Sequence, residues 1–169
     1  MNTNTPEVEE TLPGRWSAAL FAVKAWTLRL KRTLKEAGHR PRRLPKEEVP
    51  GGRRVAGESR SLLFSSGAGP EFALQAGKVQ NLRVASGYLH GRILKAGALF
   101  SFWAHVPRPT AARGFAAGRE LREGCIIPST GGGLCQLTNA LYDAALKAGC
   151  DIVERHAHSR RLPGSMAAE

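Results

Sequence analysis

The sequence predicts a single small α+β domain of mixed helices and short strands, behind a basic N-terminal helix and a linker. Three observations predict it. Residues 77–89 and 134–148 carry apolar side chains at three- and four-residue spacing, the period of a helix with one buried face. Short apolar runs at 92–94, 99–103, 125–128 and 151–158 are separated by Gly and Pro, which punctuates strands. No internal repeat organises the chain, so helices and strands mix in one layer system rather than stacking as a solenoid.

The elements follow in order. Residues 1–13 are polar and acidic and read as a loose, disordered N-terminus. Residues 14–37 form a basic amphipathic helix. Trp16, Leu20, Val23, Thr27, Leu30 and Leu34 mark one stripe, and Arg29, Lys31, Arg32 and Lys35 lie mostly off it. Such a helix packs on a domain or lies on an anionic membrane surface. Residues 38–61 are a linker by composition, broken by Pro41, Pro45, Pro50, Gly51, Gly52 and Gly57. The folded domain spans 62–169. Its expected helices are Gly77–Leu89, with Val79, Leu82, Ala85 and Leu89 on one face, and Leu134–Ala148, with Leu137 and Leu141 buried. Leu99–Trp103 and Asp151–His158 are expected strands.

The 169 residues carry a formal net charge of +11. The size fits one domain, and the charge favours anionic partners without choosing among them. Nucleic acid is disfavoured, because no recognition motif or aromatic stacking pattern accompanies the arginines. Three cysteines, Cys125, Cys135 and Cys150, lack the spacing of a disulfide framework and suggest a reducing compartment. The acidic start is not a secretory signal, and the apolar run at 16–26 is short and holds Lys24. The expectation is a cytoplasmic chain, associated at most with the inner membrane face.

Chemistry concentrates between Gly131 and Ser159. Gly131, Gly132 and Gly133 form a loop whose amides suit an anion or oxyanion. Cys135 follows in the first turn of a helix, where amides and the helix dipole stabilise a thiolate. Downstream, Glu154, His156 and His158 share one face of the expected strand. A helix-leading Cys with a strand-borne His is a thiol-enzyme arrangement, the imidazole moving the thiol proton. Gln136 or Asn139 would orient that imidazole or stabilise the oxyanion. The alternatives stay open: a buried structural Cys135 with glycines that only permit tight packing, or zinc on Cys135, His156 and His158, whose types fit but whose spacing matches no standard site. The spacing gives no metal assignment, and no cofactor is implied.

Gly131-Gly132-Gly133-Leu134-Cys135-Gln136-Leu137-Thr138-Asn139, Leu141-Tyr142, Val153-Glu154-Arg155-His156 and His158-Ser159 closely resemble the VanW family. Upstream, Asn81-Leu82-Arg83, Gly97, Phe100-Ser101-Phe102-Trp103, Pro109-Thr110, Arg113-Gly114-Phe115 and Gly118 look like its earlier motifs. The resemblance covers residues 78–160. It implies a link to the cell envelope, peptidoglycan metabolism or glycopeptide resistance, with no established molecular activity. Asn139, Glu154, Arg155 and Ser159 then read as supporting residues around Cys135, His156, His158 and Gln136. Two departures stand out: Pro107 replaces a usual glycine, and the chain ends at Glu169 where relatives continue into further strands, so a C-terminally shortened domain is expected. The two functional expectations are acyl or peptidyl transfer or amide hydrolysis at Cys135, and a non-catalytic module that binds an anionic envelope precursor.

Overall fold

The computed structural model describes residues 20, 23, 24, 26–28, 30, 31, 34, 43–48, 51, 52, 54–64, 69–122 and 125–155. The chain divides into two compact units, Met1–Pro41 and Arg42–Glu169. In the first unit the described residues are helical, and Leu20, Val23, Trp26, Leu30 and Leu34 are exposed. No described helix is long and apolar enough to cross a membrane.

The second unit mixes helices with a two-stranded antiparallel sheet, the α+β class that the sequence predicts. Its first helix, α1, spans Pro70–Leu89. It begins seven residues before the expected start at Gly77. Pro70 in the first turn and Glu71 beside it are ordinary helix-start residues, and Gly77 lies in the helix interior. Gly77 is there because a Cβ would collide with the Ala117 carbonyl, so α1 can sit close on strand β1 only at a glycine. A short helix, α2, spans Phe102–His105. This corrects the strand expected at Leu99–Trp103. Ser101 is extended, Ala104 N–H then donates to the Ser101 carbonyl at 3.2 Å, and the chain turns so that His105 points inward. A density of apolar residues without clear alternation does not separate a strand from a buried turn of helix.

Strands β1 (Ala117–Arg122) and β2 (Cys125–Thr130) pair from Ala117 with Thr130 to Arg122 with Cys125. The sequence signalled β2 but not β1, whose Gly-Arg-Glu-Leu stretch lacks an apolar alternation. Helix α3 spans Leu134–Lys147, within one residue of expectation. Gly149, at φ +73°, turns the chain out of it. Leu134 is buried, while Leu137 and Leu141 are half-buried. Residues 151–155 form no strand, because the described sheet has only two strands and gives them no partner. Instead the Arg155 guanidinium lies 4.1 Å from the centroid of the Tyr142 ring on α3.

The core is small: Ala85, Val106, Phe115 and Leu134, with Val84, Tyr88, Leu89, Phe102 and Leu137 against it. Two stretches inside the compositional linker are tied into this unit. Leu44 is buried, its N–H donates to His105 Nε2 at 2.9 Å, and its carbonyl accepts from Arg92 Nη1 at 2.7 Å. Residues 57–62 run along α3: Lys147 Nζ donates to the Glu58 carbonyl at 3.0 Å, and a Cβ on Gly57 would strike Ala144. A segment poor in apolar residues can still be fixed by backbone hydrogen bonds, which composition does not register.

Candidate functional site

The site grows from one junction. Asn81, fully buried on α1, donates from Nδ2 to the Ala116 carbonyl at 3.0 Å and the Gly132 carbonyl at 2.9 Å. Its Oδ1 accepts from the Ala116 N–H at 2.8 Å. One side chain thus satisfies three backbone groups and pins helix, strand entry and glycine loop together. The packing is too close for side chains. A Cβ on Gly118 would lie 2.6 Å from the Gly132 carbonyl, and one on Gly132 would collide with the Gly118 carbonyl.

The three loop glycines differ. Gly131 N–H donates to the Ala116 carbonyl at 3.0 Å, and Gly132 N–H to the Ser129 carbonyl at 2.8 Å. Both amides are occupied inside the fold, which narrows the expected anion-binding loop: neither serves as a free donor. Gly133 is the N-cap of α3, in the left-handed region at φ +90°, with no side chain to cap the helix. Among the described residues none accepts from the amides of Gly133 or Leu134. These are orphan donors of a helix start.

Cys135 lies in the first turn of α3, as the sequence places it, and is exposed at the surface with a free thiol. Its sulfur is nevertheless packed. Burial pushes the thiol up from its ordinary value, the Cys135 backbone amide opposes this, and the Glu120 carboxylate adds to the rise. The expected thiolate stabilisation by the helix start is therefore outweighed locally. Gln136 is turned to another use. Its Nε2 donates to Ser61 Oγ at 2.9 Å and to the Leu62 carbonyl at 2.7 Å, anchoring the 57–62 segment on α3. Asn139 is exposed on the same helix. Glu154 and Arg155 lie in the irregular, exposed stretch after α3. His156, His158 and Ser159 lie outside the described residues, so the expected Cys–His pairing has no geometry here. Among the described residues no group of His, Cys, Asp and Glu is arranged to hold a metal ion.

Two residues absent from the sequence-derived set stand beside the loop. Lys78 on α1 is only 9% exposed. Its stem, Cβ to Cδ, occupies the space where a Gly133 Cβ would go. Arg119 on β1 pairs with Glu71 on α1 at 2.9 Å. A signal for this cluster was present. Glu71, Gln75, Lys78, Leu82, Ala85 and Leu89 fall on one helical face, so the apolar stripe becomes polar toward the N-terminus yet stays covered. Arg119 and Glu120 alternate along β1, the first paired with Glu71, the second acting on Cys135.

The family profile described as VanW like protein matches residues 77–168. The chain belongs to the VanW-like family. It is 31% identical over 101 residues to the vancomycin B-type resistance protein VanW of Enterococcus faecalis, a stretch covering 60% of this chain and 37% of that protein. It is 28% identical over 83 residues to the uncharacterized protein YoaR of Bacillus subtilis, covering 49% of this chain and 27% of that one. The VanW-like chain thus spans about a third of the length of these curated relatives. No solved structure matches it. The matched region begins at Gly77 and so includes Lys78, the Asn81 junction, the hairpin and the glycine loop.

Proposed function

We propose that this VanW-like domain is a binding module for an anionic cell-envelope precursor, acting in the setting of vancomycin resistance from which its enterococcal relative is named. The observation that carries this reading is the start of α3: amides at Gly133 and Leu134 that no described residue accepts from, without a side-chain cap, beside the buried Lys78. Backbone donors at a helix start recognise anions without needing a nucleophile. The chain's net charge of +11 acts in the same direction by drawing anions to the surface.

The thiol-enzyme reading has one observation in its favour, the exposed free Cys135 in the first helical turn. Against it stand the raised thiol and the engagement of Gln136 with Ser61 and Leu62. Calorimetric titration of the full chain with soluble peptidoglycan fragments, followed by mass spectrometry, separates the two. The binding reading expects saturable binding that weakens with salt and leaves fragment and protein masses unchanged. An acyl adduct on Cys135, or conversion of the fragments, would replace it with the thiol reading.

A further inference from the structure

Among the described residues, Lys78 is a buried side chain, 9% exposed, without a hydrogen-bond or ion-pair partner. The neighbouring charges do not neutralise it. Arg119 and Glu71 are joined at 2.9 Å and cancel one another to first order, leaving one positive charge uncompensated at Lys78. Its ammonium is lowered from the usual lysine value, first by burial and then by Arg119, with Glu71 opposing. A lysine whose stem is buried and whose charged end is partly desolvated gains from a counter-charge, and no described side chain pairs with it.

The surroundings of Lys78 indicate where that counter-charge sits. The lysine stem lies over Gly133, the N-cap of the fourteen-residue helix α3. Gly133 and Leu134 carry the amides without an acceptor among the described residues. Lysine's long apolar stem lets the charged end extend beyond the glycine it covers. The lysine stem and two backbone donors therefore meet at the same helix start.

We propose that the start of α3 is a site for one carboxylate group, held by the Lys78 ammonium and the Gly133 and Leu134 amides, with Arg119 as a flanking cation fixed by Glu71. This rests on the reading of the domain as a binding module and names the chemistry that its ligand presents. A carboxylate fits better than a phosphate because a single uncompensated positive charge matches a single negative one. A dianion would bring a second charge toward Glu71. The glycine at position 133 serves the site twice: it adopts the left-handed turn that frees the amides, and it leaves room for the lysine stem.

The test is a titration of the nitrogen-15-labelled full chain with sodium acetate, with sodium chloride matching ionic strength and inorganic phosphate as the competing anion. The expected result is saturable movement of the Gly133 and Leu134 amide resonances with acetate, not reproduced by chloride and weaker with phosphate. Lys78→Met keeps the stem over Gly133 and removes the charge. It is expected to weaken acetate binding about tenfold or more, the scale of a lost charge-assisted hydrogen bond. Should that variant not fold, the wild-type chain gives a second readout: acetate should raise the pH midpoint of the Lys78 side-chain carbon resonance next to the ammonium. Linear shifts equal to those with chloride, tighter binding of phosphate, acetate affinity unchanged in folded Lys78→Met, or an unmoved Lys78 midpoint would each overturn the proposal. Acetate binding without any affinity for peptidoglycan fragments would keep this site and remove the envelope reading. Fragment binding with silent Gly133 and Leu134 amides would do the reverse.

Discussion

Gly132 and Gly133 are adjacent in the chain and opposite in employment. Gly132 is buried, its N–H held by the Ser129 carbonyl and its own carbonyl by Asn81, with Gly118 where a side chain would go. Gly133 is half-buried, takes the left-handed turn, and leaves its amide without a described acceptor beside Lys78. The first glycine belongs to the fold and the second to the site. A triple-glycine run read as one functional loop hides this division. Only the hydrogen-bond partners of each amide distinguish packing from recognition.

The largest expected effect breaks this comparison at the structural side. Gly132→Ala sets a Cβ against the Gly118 carbonyl, a backbone atom that cannot swing aside. Loss of about 3 kcal/mol or more is expected, as for severe overpacking. Gly133→Ala meets the Cγ of the buried Lys78 stem, a side-chain atom that must be displaced, and a strained φ, and should cost less, roughly 2 kcal/mol. Urea denaturation of both variants measures the difference. Equal losses would mean that the two glycines share one role.

A smaller effect is expected at His105, which joins the stretch around Leu44 to the domain. His105 is buried, its Nε2 accepts from the Leu44 N–H, and its Nδ1 lies 2.8 Å from the Ser101 carbonyl. These partners assign the proton to Nδ1. His105→Ala leaves the Leu44 N–H without its partner and removes the stacking on Phe100, for about 1–3 kcal/mol in all. Hydrogen exchange should show the Leu44 amide losing protection. Protection retained at Leu44 would mean that residues 43–47 are held by the Arg92 and Gly91 contacts alone.

The legibility of this molecule follows the same division. Helix α3 was readable to within a residue because its leucines recur at helical spacing and Gly149 ends it. The extent of α1 was not, because the residues before Gly77 are polar where they face the fold: Gln75 is buried, and Glu71 is half-buried in its pair with Arg119 of β1. Strand β1 itself has too few apolar residues to announce a strand. At the site, the position of Cys135 was readable from its place after the glycines. Its chemistry was not, since the helix start favours a thiolate while burial and Glu120 disfavour it, and the balance depends on which face of β1 lies alongside. Gln136 pairs with residues 74 and 75 positions away, a partnership that no local spacing encodes.

The central claim is that the start of α3 is arranged as donors for an anion and not as a site for a thiolate. The most direct measurement is the alkylation rate of Cys135 by iodoacetamide against pH, with Cys125 and Cys150 replaced by Ser, in the folded chain and in denaturant. Folding raises the thiol value, so the folded protein holds its proton where the unfolded chain releases it. The stability this contributes is present below the unfolded thiol value and is lost as pH rises through the folded one. The account predicts slower alkylation at pH 7 when folded and a rate midpoint displaced to higher pH. Faster alkylation of the folded chain at pH 7, with the midpoint displaced to lower pH, would contradict it and return Cys135 to the role of nucleophile.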